Sequence, residues 1–260
     1  MTRVLVGLIL LAAAEAAAGD GAEKALVAGD GAEKAPVAGD GAEKAPTAGT
    51  GPAALEALVK AAPACEAARA HCVGIRLHVA TADSALVAAP DWVARQAAAA
   101  NEHFAPIGVG FQVVGADELP EAAARIEDAQ ERSGLARLVA GTVIDVFVTA
   151  QLDDIDVQGG VIRGVAWPAG AKKFVILSTI APDRTLAHEL GHVFGLPHSA
   201  YAISIMNKTQ RKEPPLEQRT FHANELAVMR GQLARLLREK VIADLPRAAA
   251  RAAAPATARP

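Results

Sequence analysis

Thr185-Leu-Ala-His188-Glu189-Leu-Gly191-His192-Val-Phe-Gly195-Leu-Pro-His198-Ser199 is the stretch from which the rest of the chain is read. On a helix, His188 and His192 fall at i and i+4 on one face, where two imidazoles reach one ion. Gly195 follows three residues after His192, at a position where glycine takes the left-handed conformation that ends a helix. The chain then turns and brings His198 round as a third nitrogen. Three protein ligands suit one zinc ion and leave it a fourth position for water, which separates a catalytic site from a closed structural one. Glu189, directly after the first ligand, stands near the ion without binding it, placed to take a proton from water and pass it to a leaving amine. The same side chains would also decorate an ordinary amphipathic helix. Three His, one Glu and one Gly at these offsets in a chain with seven histidines make that the weaker reading.

These residues resemble the metzincin clan of zinc metallopeptidases, whose signature is HExxHxxGxxH followed by a methionine-containing turn. Gly191 before the second histidine, Ser199 after the third and Met206 eight residues beyond His198 are most similar to the matrixin branch. The resemblance spans roughly Gly74 to Lys240. It implies a zinc endopeptidase with one catalytic ion, an active-site helix beneath a twisted mixed sheet, and Met206 as a hydrophobic floor under the metal. It further implies an antiparallel edge strand that holds peptide substrate, with Gly164, Val165 and Ala166 lining the cleft. Residues Tyr201 to Ile205 would wall the pocket for the side chain after the scissile bond, and Tyr201 would touch substrate there. The chain departs from matrixins in lacking their propeptide cysteine motif and recognisable calcium or structural-zinc loops. Lys208 stands two residues past Met206, where astacin-like and serralysin-like relatives carry tyrosine, so no tyrosine ligand is expected.

Outward from the motif, VGIRLHVAT alternates Ile75, Leu77 and Val79 with Arg76 and His78, the pattern of a half-buried strand. Pro90 opens an alanine-rich helix through DWVARQAAAANEHF, with proline at a permitted first-turn position. VGFQVVG reads as a strand, residues 121–138 as a polar helix, and GTVIDVFVTAQL as one long β run, with Val143, Asp145 and Phe147 on one face and Ile144, Val146 and Val148 on the other. VIRGVAWPAG, with two internal glycines and Pro168, suits an edge strand, and KKFVILSTI a central one. Leu226, Met229, Leu233, Leu236 and Leu237 recur at helical spacing and predict a C-terminal helix docked on the domain. The order gives an α/β (α+β) fold with a mixed sheet over residues 53–243. Aromatics are only 3% of the chain, so a core of Leu, Ile and Val is expected.

The N-terminus carries Arg3 and then an apolar run from Val4 to Ala14, too short to span a membrane and followed by small residues, which reads as a signal peptide over residues 1–18. Three decapeptides, GDGAEKALVA, GDGAEKAPVA and GDGAEKAPTA, then occupy residues 19–48 and run into the flexible GTGPAA. Repeats this rich in Gly, Ala and charge bury no continuous apolar face, so residues 19–52 read as a spacer. Residues 244–260 read as a low-complexity tail. Net charge is −3, of which each repeat contributes −1, and the near-neutral remainder offers no footprint for nucleic acid. A secreted or periplasmic monomer without a membrane span, acting on protein or peptide, is expected. Export makes Cys65 and Cys72 candidates for a disulfide, provided a turn separates them, because seven residues of helix would hold them about 10 Å apart. Two other functions stay open: a zinc hydrolase of a non-protein amide in the cell envelope, and an idle envelope-binding protein that keeps its metal for stability. The intact Glu189 argues against the second.

Overall fold

The structure is a computed structural model that describes residues 49–209 and 211–246. The expected signal peptide, the three repeats and residues 247–260 of the expected tail lie outside the described residues. No helix among the described residues is long and apolar enough to cross a membrane.

Helix α1 (Pro52–Ala61) begins inside the stretch read as flexible, because Pro52 occupies the first helical turn, where its missing N–H costs nothing. Strand β1 (His71–Ala82) is the centre of the sheet, hydrogen-bonded in parallel to β3 (Val109–Leu119) on one side and to β5 (Ile144–Thr149) on the other. The short β2 (Ala85–Leu86) folds back on its end. Beyond β5, strand β8 (Lys172–Ser178) adds in parallel, and β7 (Gly164–Ala169) closes that side as an antiparallel edge. The result is the mixed sheet with an antiparallel edge that the sequence predicts.

One face of this sheet packs on α1, α2 (Pro90–Phe104), the active-site helix α4 (Thr185–Val193) and the C-terminal α5 (Ala223–Arg238). Ile75, Leu77 and Val79 of β1 and Ile144, Val146 and Val148 of β5 face that side. On α5, Met229, Leu233 and Leu236 are buried and Leu226 and Leu237 pack beside them. Phe104 lies edge-on to Phe111, Phe194 and Phe221 at 4.9, 5.0 and 5.2 Å, a geometry that matches positive ring edges to negative faces. All six phenylalanines of the chain are buried, so a core expected to be aliphatic is pinned by its few aromatics.

The opposite sheet face is covered too, which corrects the reading of β1 as half-buried. Phe147 and Phe174 join a second apolar cluster there with Leu119, Leu135 and Leu152. His78 is therefore buried, stacked on Phe147 at 4.5 Å, and donates from Nε2 to Asp145 Oδ1 at 2.9 Å. The covering segment is not the single polar helix expected over residues 121–138. Asp128 is extended and accepts the Glu131 N–H through its side chain, starting the separate short helix α3 (Ala129–Gly134). Before it, β4 (Arg125–Ile126) pairs with β6 (Gln151–Leu152), so the long β run breaks in two after Thr149.

Cys65 and Cys72 form a disulfide, with Cα atoms 5.9 Å apart across the turn closed by Arg69 N–H to Glu66 O. Asp244 and Leu245, expected as the first tail residues, are tied to β1. Asp244 accepts from His71 Nδ1 and the Cys72 N–H, and the Leu245 N–H donates to Cys72 O.

Candidate metal centre

Helix α4 has no capping side chain of its own; Arg184 occupies the N-cap position. Gln96 of α2 substitutes for one. Its Oε1 accepts the Leu186 N–H at 2.9 Å while its Nε2 donates to Pro182 O at 2.8 Å, fixing where the helix starts against the core. The other end closes as a Schellman motif. Gly195 sits at φ 86°, its N–H donates to His192 O, and the Leu196 N–H donates to Gly191 O. That reversal swings Leu196-Pro-His198 back beside the helix.

The three histidines meet there, with one ligating atom from each of His188, His192 and His198 lying within 4.8 Å of the others. Carbonyl oxygens orient two of the rings. His188 Nδ1 donates to Ile205 O and His192 Nδ1 donates to Leu196 O, each at 2.7 Å. A carbonyl only accepts, so both Nδ1 atoms carry protons, which leaves Nε2 as the nitrogen of each ring that can face a metal. Burial, together with the neighbouring His192, Lys208 and His188, pushes His198 down to about 3 and so keeps it neutral at ordinary pH. Three imidazoles converging in a partly enclosed pocket fit zinc.

Glu189 is buried, lines the same cavity and lies outside the cluster of ligating atoms. Gly164 makes room for it: a Cβ there would stand 3.1 Å from Glu189 Cγ and 2.9 Å from Leu177 Cδ2. The edge strand can thus lie directly against the carboxylate's stem.

Met206 is fully buried under α4. A Cβ on Gly191 would come within 2.6 Å of its sulfur, so the missing side chain is what admits the methionine. The turn that carries it is held by buried hydrogen bonds. Ser204 Oγ accepts the Met206 N–H at 2.9 Å and donates to the Glu225 carboxylate at 2.8 Å, and Met206 O accepts from the Ser199 N–H at 3.0 Å. Glu225 also accepts the His222 N–H in the capping box of α5, so the last helix anchors the floor of the site.

Gly164, Val165 and Ile205 line the cavity. Ala166 does not: it is buried against the helical face of the sheet. Tyr201 is not among the lining residues either. Its ring stacks on His222 at 3.7 Å and its hydroxyl accepts from Asn224 Nδ2, contacts that turn it toward α5. Trp167 of β7 lies beneath Arg132 and donates to Ser133 Oγ. Sequence reasoning missed Arg163, Arg184, Asn207, Lys208, Leu216 and Arg219, which complete the lining. Only Lys208 carried a signal, by its place two residues past Met206.

The sequence matches no protein-family model and no curated protein. Among solved structures, the chain is similar to archaemetzincin from Methanopyrus kandleri at 19% identity and TM-score 0.42, over 65% of this chain and 100% of that one. Metalloproteinase-II from Bacteroides fragilis aligns at 14% identity and TM-score 0.46, over 67% of this chain and 60% of that one. A zinc-dependent peptidase from Methanocorpusculum labreanum aligns at 16% identity and TM-score 0.37, over 60% of this chain and 100% of that one.

Proposed function

We propose that this chain is an exported zinc-dependent endopeptidase of the metzincin type with matrixin-like features, holding one catalytic ion. The observation that carries the reading is the convergence of three imidazoles with a buried carboxylate that lines their cavity without joining them. A purely structural site has no use for that carboxylate. His188, His192 and His198 would hold zinc, which when bound would supply a Lewis acid to polarise the scissile carbonyl and make water more acidic.

The remaining work belongs to the protein. Glu189 accepts the proton of the attacking water and returns it to the departing amine nitrogen. The open side of β7 at Gly164 and Val165 pairs with an extended peptide by strand addition and sets its carbonyl over the site. Substrate paired along an open strand edge can extend past the site, which supports cleavage inside chains. The apolar N-terminal run supports export.

Metal removal tests this reading. Zinc-loaded protein should cut peptides from a diverse mixture at internal bonds, lose that activity on dialysis against a chelator and regain it with one equivalent of zinc. Cleavage that persists in the chelated, metal-free protein would contradict the proposal.

A further inference from the structure

The cavity around the three histidines is basic. Arg163, Arg184, Lys208 and Arg219 line it, and Glu189 is the one acidic side chain among its lining residues.

Arg219 is the decisive member, since it is only 6% exposed. Its Nε donates to Pro214 O at 3.0 Å and its Nη2 to Arg211 O at 2.7 Å. Carbonyls fix the plane of a guanidinium without bringing a countercharge. A cation held by dipoles in a partly desolvated pocket attracts a carboxylate far more strongly than the same group on open surface. Arg184 braces the same wall, with Nη1 donating to Leu216 O at 2.6 Å. Lys208 is exposed on the rim, where it adds longer-range attraction. Ile205, Asn207, Lys208, Leu216 and Arg219 form this basic wall, and Arg163, just before β7, lines the cavity with Gly164 and Val165 of the strand.

We infer that this wall is a specificity pocket for a substrate carboxylate, either an acidic side chain near the scissile bond or the peptide's own C-terminal carboxylate, with Arg219 as the specificity-determining residue. The inference rests on the peptidase reading and adds the class of peptide that the cleft selects. A planar guanidinium suits a carboxylate because it donates two parallel N–H bonds to the two oxygens, which a neutral amide cannot accept in the same way.

The test uses the zinc-loaded full chain and peptides that differ only by Glu or Gln at each position around a cut, every one made with a free and with an amidated C-terminus. Glu should be preferred over Gln at one position by about tenfold or more in kcat/KM, and added salt should shrink that ratio. A preference for the free over the amidated terminus, with Glu and Gln equal, assigns the same pocket to the terminal carboxylate. Arg219→Gln should bring the ratio toward one, and Arg219→Lys should keep part of it. Because Arg219 is buried, Lys208→Glu on the rim is the second variant and should lower the ratio several-fold whether or not Arg219→Gln folds. Glu189-dependent cleavage with equal rates for Glu and Gln and for free and amidated ends overturns the pocket while leaving the peptidase reading in place. No Glu189-dependent cleavage of any peptide overturns both.

Discussion

A carbonyl oxygen can only accept a hydrogen bond, and at the residue scale that decides which nitrogen His188 and His192 present. Ile205 O and Leu196 O take the Nδ1 protons, so each ring turns Nε2 toward the shared centre. The meeting of His188 with His192, and Glu189 beside them, was legible because a helix fixes relative positions by spacing, and Gly195 announced the turn that returns His198. The two orienting carbonyls were not, since both lie on backbone that returns to the helix after its end. Tyr201 was misplaced for a similar reason: its partners His222 and Asn224 begin a helix some twenty residues later, and nothing near Tyr201 in sequence announces them. His198 yields a prediction at this scale. Its ordinary value of 6.5 falls to about 3 in the fold, chiefly through burial, so between those values the unfolded chain binds the proton that the native chain refuses. Stability of the metal-free protein should therefore be fullest above pH 6.5 and decline as pH falls toward 3. Half-buried His103, also shifted down by desolvation, acts in the same direction. Denaturant midpoints measured at several pH values should show the decline, and His198→Asn should make it shallower; a midpoint that rises on acidification would contradict the assignment.

At the scale of elements, α4 is positioned by partners from three other parts of the chain. Gln96 sets its start, the Schellman turn at Gly195 sets its end, and Met206 sets its height above the floor. The sequence announced the second through glycine and the third through the resemblance. It concealed the first, because the capping group is a buried glutamine on another helix. The same limit explains the misread segment after Pro120. Its polar composition suits a helix, but Asp128 prefers to cap and Arg125-Ile126 find a strand partner in Gln151-Leu152, contacts that only the tertiary fold supplies. Gly191→Ala tests the packing between helix and floor directly. The new methyl would meet the Met206 sulfur at 2.6 Å, so helix or turn must give way. Loss of about 1–3 kcal/mol in unfolding free energy, with weaker zinc binding, is expected from calorimetry and metal titration. An unchanged melting temperature and zinc affinity would mean that the contact does not position the site.

Across the whole molecule, the mixed sheet and the edge position of β7 followed from strand patterns and its antiparallel sense from the resemblance, whereas the second covered face did not. Alternation in β1 suggested a solvent-facing side, yet the alternating positions include His78, which the fold buries by pairing it with Asp145. A buried ion-pairing histidine looks, in sequence, like an exposed one. The start of β1 is fixed from two directions, by the Cys65–Cys72 bond and by the Asp244 contacts. Breaking the disulfide by replacing both cysteines with serine should cost about 2–3 kcal/mol of stability, because a closed loop of this size restricts the unfolded chain by about that much. Equal denaturant midpoints for the two proteins would show the bond to be dispensable. The central claim is that the buried carboxylate beside three ligating imidazoles does proton chemistry rather than holding metal. Its most direct test compares zinc content and peptide hydrolysis in the intact protein and in Glu189→Gln. The account predicts one zinc per chain and the same fold in both, with hydrolysis lowered by about 10²–10⁴-fold in the variant. Full hydrolysis in Glu189→Gln, or loss of its zinc, would contradict it.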